Sequence, residues 1–162
     1  MDHAQPRRIS RRDAIGAAAI APLGLALAQP AGSAPAAVVR RMRTAYERVD
    51  VTGVLATLSP DLAFSDPTFQ LHANGLAEMK EVLAHGAMDI AAIRLVVEHE
   101  LACGPWIVAR QEQVVTFKGR ATPVSVRGVS LFRVEAGLIR EWHDYYDAMG
   151  MQRQLKTPGM AR

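Results

Sequence analysis

Apolar and polar positions change period once along this chain. Up to Met88 the apolar residues recur every three to four places, and beyond it they alternate. Val38, Met42, Tyr46 and Val49 predict an amphipathic first helix, with Arg40, Arg41 and Arg43 mostly on its wet side. Thr52 is placed to cap a short second helix carrying Val54, Leu55 and Leu58, which Ser59-Pro60 stops. Residues 62–66 read as a brief extended piece ended by Pro67, and Asn74-Gly75 opens a third helix in which Leu76, Met79, Val82 and Leu83 share a face. Residues 93–101, 106–117, 124–134 and 138–146 are β-branched and aromatic runs with alternation, and predict four strands. Glu135-Ala136-Gly137 predicts a three-residue hairpin loop with Gly in the left-handed position. Helices followed by an antiparallel meander predict an α+β fold. In it, a curved antiparallel sheet packs against three N-terminal helices around a conical cavity.

The N-terminal segment changes the picture. Ser10-Arg11-Arg12-Asp13-Ala14-Ile15 is similar to the twin-arginine consensus, and a weakly apolar stretch from Ala14 to Ala28 follows it, too short to span a membrane. Ala26-Leu27-Ala28 offers a small-x-small cleavage site, with Gly32-Ser33-Ala34 a second candidate. The resemblance implies export of the folded protein by the twin-arginine machinery to the periplasm. The expected organisation is a signal peptide over 1–28, a linker over 29–35, one domain over 36–155 and a flexible tail over 156–162.

The formal charge of +3 belongs largely to the leader, where Arg7, Arg8, Arg11 and Arg12 face only Asp2 and Asp13. The remainder is close to neutral, which gives no basic face for nucleic acid. The single cysteine, Cys103, forms no internal disulfide and is expected to be half-buried; no cysteine near the cleavage site predicts a lipid anchor. His72, His85, His99 and His143 lack metal-binding spacing, and His85 and His99 are expected at the surface. No Gly-rich phosphate loop implies a nucleotide, so neither a metal nor a cofactor is expected.

Candidate chemistry follows from strand periodicity. On the last strand Arg140, Trp142, Asp144 and Tyr146 share one face, and Arg110 and Glu112 share a face of an earlier strand. If both sets point inward, Asp144, Arg110 and Glu112 make a carboxylate–guanidinium–carboxylate chain that supplies a base and an acid in one cavity. The alternative leaves Arg110 and Glu112 as an exposed cross-strand pair on the convex side, with Asp144 a structural hydrogen-bond acceptor.

Residues 131–147, Leu-Phe-Arg-Val-Glu-Ala-Gly-Leu-Ile-Arg-Glu-Trp-His-Asp-Tyr-Tyr-Asp, follow this element order and resemble the SnoaL-like branch of the nuclear transport factor 2-like superfamily. That scaffold serves hydrolases, isomerases, dehydratases, cyclases and plain binding proteins. Similarity to its limonene-epoxide hydrolases implies Asp144 as the base that activates water, Arg110 as the bridge and Glu112 as the acid. The Tyr and Asn that hold the water in those enzymes fall at Phe64 and Asp66. Similarity to its ketosteroid isomerases implies instead that Asp66, before Pro67, is the general base, but that group's oxyanion-binding Asp has no acidic counterpart among residues 126–130. The resemblance further implies a small apolar substrate or ligand, walled by Trp142, Phe64, Tyr46, Tyr146 and Phe132, and a homodimer formed through the outer face of the sheet. A non-catalytic ligand-binding or partner-binding protein is the other function class it allows.

Overall fold

The computed structural model describes residues 34–156, so the expected leader, most of the linker and the tail past Lys156 lie outside the described residues. The elements are α1 (Ala34–Glu47), α2 (Val51–Leu55), β1 (Leu58–Asp66), β2 (Leu71–Asn74), α3 (Gly75–Asp89), β3 (Ile90–Cys103), β4 (Trp106–Phe117), β5 (Val124–Glu135), β6 (Leu138–Tyr146) and α4 (Ala148–Lys156). Six strands form one curved sheet in the order β2-β1-β6-β5-β4-β3, and it does not close, because β2 and β3 are edges. All pairs are antiparallel except β1 with β6. The α+β class is as the sequence predicts. The β1–β2 hairpin and α4 are additions: β2 is four residues long, too short to show a period, and α4 buries no residue.

Local chemistry explains most boundaries. Asp50, not Thr52, caps α2, its Oδ1 accepting from the Gly53 N–H at 2.8 Å; Thr52 already lies inside the helix. Leu58 leaves that helix for β1, because the Ile139 N–H donates to the Thr57 carbonyl at 2.9 Å and draws the chain into the sheet. The β5–β6 loop has two residues rather than three. Ala136 (φ 49°) and Gly137 (φ 79°) both take positive φ between paired Glu135 and Leu138, as a type I′ turn requires.

The core lies between α1, α3 and the sheet's inner face. Val39, Met42, Leu62, Met79, Ile107 and Ile139 are at most 2% exposed. Arg43 corrects the helical-wheel expectation. It is buried at 6% exposure, pairs with Glu100 and stacks over the Phe132 ring at 5.5 Å. The β3 bulge between Val97 and His99 turns Glu100 inward to meet it. Cys103 is exposed rather than half-buried. No helix among the described residues is long and apolar enough to cross a membrane.

Candidate functional site

Register decides which side chains enter the hollow. Asp144 pairs across the sheet with Ser130, and Ser130 with Ala109, so these three share the inner face. The two-residue period then places Gln111 and Gln113 inside and sends Arg110 and Glu112 outside.

The expected Asp144–Arg110–Glu112 chain is therefore not formed. The Arg110 side chain is 60% exposed and pairs with Glu98 at 2.8 Å, while Glu112 accepts from Ser125 Oγ and lies 4.0 Å from Arg127. Both belong to the convex face, as the cross-strand alternative had it. Phe132 is also corrected: at 1% exposure it packs behind Trp142, ring centroids 5.6 Å apart, and belongs to the core rather than the cavity wall.

The cavity opens beneath α2 and α3 and, counted together with its open mouth, spans about 780 Å³. Tyr46, Phe64, Asp66, Trp142, Asp144 and Tyr146 all line it. Its apolar wall includes Val54, Met79, Val82, Leu83 and Ile93, and Trp142 is held edge-on by Phe64 at 5.2 Å and Tyr46 at 6.1 Å.

Two carboxyls supply the ionisable chemistry. Asp144, 5% exposed, accepts from Ser130 Oγ, itself fully buried. Burial pushes its pKa up to about 7, against the pull of the Ser130 and Trp142 hydrogens and the Arg43 charge, while the charge of Asp66 adds to the rise. Asp66 ends β1 where Pro67 has no N–H to continue the ladder. Its Oδ1 accepts from the backbone N–H of Thr68 at 2.9 Å and of Phe69 at 3.2 Å. Burial raises its pKa, and those N–H bonds oppose the rise by favouring the carboxylate.

Sequence reasoning missed the glutamines. Gln111 Nε2 donates to Ser130 Oγ at 2.8 Å and to the Tyr146 hydroxyl at 2.9 Å, and Gln113 Nε2 donates to the Tyr46 hydroxyl at 3.2 Å. Each phenol oxygen thus accepts from an amide, and Tyr146 also bonds Ser130. Burial, with the Asp144 charge next, pushes Tyr46 up to about 12 and raises Tyr146 further, so both stay protonated donors. The only sequence signal for this was that Gln111 and Gln113 share a face within an apolar strand. Gln111 Oε1 is buried without a partner.

The histidines lie elsewhere. His72, His85 and His99 are exposed, and His143, on the outer face, meets Ser65 Oγ at 2.7 Å and Glu141 at 3.3 Å. Among the described residues no group of three His, Cys, Asp or Glu side chains is arranged to hold a metal ion.

Comparison with known proteins agrees with this fold. The family profile described as SnoaL-like domain matches residues 39–142. No curated protein matches the chain in sequence. Among solved structures, an NTF2-like protein of unknown function from Burkholderia pseudomallei is 25% identical, with 77% of this chain and 99% of that one covered at a TM-score of 0.68. An LEH-like epoxide hydrolase from M. tuberculosis is 20% identical, covering 78% and 92% at 0.67. A protein described as a SnoaL-like polyketide cyclase from Shewanella denitrificans is 17% identical, covering 75% and 96% at 0.69. At those last two identities the likeness is one of fold.

Proposed function

The chain belongs to the SnoaL-like domain family, and from that premise we propose that it binds a small apolar carbonyl compound and moves a proton on it with its own side chains. The observation that carries this is the placement of two carboxyls of different character among hydroxyl donors in one largely apolar cavity. Asp66, whose carboxylate accepts from two backbone N–H groups, is the base. Tyr46, Tyr146 and protonated Asp144 are the donors. Asp66 takes a proton from the carbon next to the carbonyl, and the C–H electron pair moves into the new C=C as the carbonyl oxygen becomes an enolate. The donors stabilise that oxygen. Asp66 then returns the proton at the far end of the conjugated system, giving an isomer with atoms conserved. Epoxide opening, the activity carried in the name of the M. tuberculosis neighbour, is the weaker reading, because Arg110 and Glu112 stand on the other face.

The test is a panel of β,γ-unsaturated ketones and epoxides, followed by ultraviolet absorbance and chromatography. Conjugation of a ketone should fall about 100-fold or more in Asp66→Asn, the usual worth of a general base. Epoxide hydrolysis that Asp66→Asn leaves intact and Asp144→Asn abolishes would transfer the assignment to hydrolysis. Binding without turnover of either class would make this a ligand carrier.

We further propose export and dimerisation. Arg11-Arg12 and the small-residue stretch behind them support the twin-arginine route to the periplasm, and loss of export in Arg11→Lys/Arg12→Lys is the test. The outer face exposes Leu101 (62%) on the β3 edge and Tyr145 (51%) on β6, apolar positions that support a homodimer through that face. Light scattering on Leu101→Glu should then report monomer where the wild type reports dimer.

A further inference from the structure

The hollow does not end at the carboxyls. A second chamber of about 760 Å³, partly open to solvent, is walled by Ile90, Val115, Phe117, Val124, Val126 and Met151. It shares Phe69, Gly86, Ile90 and Gln113 with the first, so the two adjoin.

Two features mark it as built rather than incidental. Its floor on β4 and β5 is apolar, at Val115, Val124 and Val126, and lies outside the packed core cluster. Second, the wall contributed by Met151 comes from α4, which is fastened in place. Gln154 bonds the Ser125 backbone N–H at 2.9 Å and carbonyl at 2.6 Å, and Arg120 bonds the Gln154 carbonyl at 2.7 Å.

We infer that the second chamber is a tail subsite, and that the ligand is a two-part molecule. Its oxygen-bearing head sits among Tyr46, Tyr146 and Asp144, and an apolar ring or branched alkyl tail runs past Gln113 and Phe69 to Met151. The head's placement rests on the proposed function; the tail's placement rests on the shape and apolar lining of the second chamber. Substrates lacking a tail use only half the available burial.

The experiment is an NMR titration of the full chain with phenol, 4-phenylphenol and 4-cyclohexylphenol, whose hydroxyl is the head and whose second ring is the tail. The wild type should bind 4-cyclohexylphenol about 100-fold tighter than phenol, the gain for burying one more ring. Met151→Trp, which fills the chamber from α4, should remove that gain while leaving phenol affinity within about twofold, and Val126→Phe should do the same from β5. A tail gain that survives both folded variants, or no gain in the wild type, overturns the inference. Its failure is separable from that of the acid–base reading, because Asp66→Asn turnover measures the chemistry and this affinity ladder does not.

Discussion

Replacing Asp144 by Asn should stabilise the protein at alkaline pH and leave it nearly unchanged in acid. The side chain is 5% exposed, and burial moves its pKa from 3.8 to about 7. Between those values the folded state holds a proton that the unfolded chain has released. The slope of unfolding free energy with pH is proportional to protons bound unfolded minus folded, so it is negative there. Stability is greatest below about pH 4 for this group and is lost as pH rises toward 7, at about 1.4 kcal/mol per unit. The full difference is about 4 kcal/mol. Asn imitates the protonated acid in size and can still accept from Ser130, so it lacks the slope. Urea unfolding of both proteins from pH 4 to 8 should give curves that nearly coincide at pH 4 and separate steadily above it. By pH 8, Asp144→Asn should be more stable by several kcal/mol. Asp66, whose pKa burial also raises, is present in both proteins, so its own burial slope cancels; the Asp66–Asp144 repulsion that Asn removes acts in the same direction as the predicted gain. A wild type more stable than Asp144→Asn at pH 8 would refute the reasoning. It would mean that Ser130, Trp142 and Arg43 outweigh burial and hold the carboxylate ionised.

Other outcomes follow from the same geometry. Arg43→Ala strands Glu100 in the interior and should cost about 3–5 kcal/mol in urea unfolding, much of it recovered by Arg43→Met/Glu100→Gln. At Gly128 an added Cβ would overlap the Tyr146 ring and the Tyr145 carbonyl. Gly128→Ala should therefore lower stability by about 1–3 kcal/mol and weaken phenol binding by displacing the Tyr146 hydroxyl. Arg110→Ala, on the outer face, should change stability by no more than about 0.5 kcal/mol and leave turnover of a β,γ-unsaturated ketone unchanged in a steady-state assay.

The helices, the strands and the layer order were legible because burial writes a period into the chain. Residues 106–117 alternate because one side of β4 faces core and cavity. Asp66 before Pro67, and the shared face of Trp142, Asp144 and Tyr146, were equally readable, since each depends on neighbours within two residues. Short β2 and nine-residue α4 were not, because a four-residue strand with one buried position is too short to show a period and α4 buries none of its residues.

What the sequence determined by itself was pairing within elements: Arg110 with Glu112, Gln111 with Gln113, Asp144 with Trp142 and Tyr146. Only the tertiary structure decided which of those pairs meet. Asp144 stands opposite Ser130 and Ser130 opposite Ala109, and a one-residue slip of β4 would exchange its faces, bringing Arg110 and Glu112 into the cavity and expelling both glutamines. The bulge between Val97 and His99 made the same kind of choice for Glu100, turning it in toward Arg43. Periodicity is local and fixes faces within a strand, whereas register and bulges are set by long-range packing and fix which face looks inward.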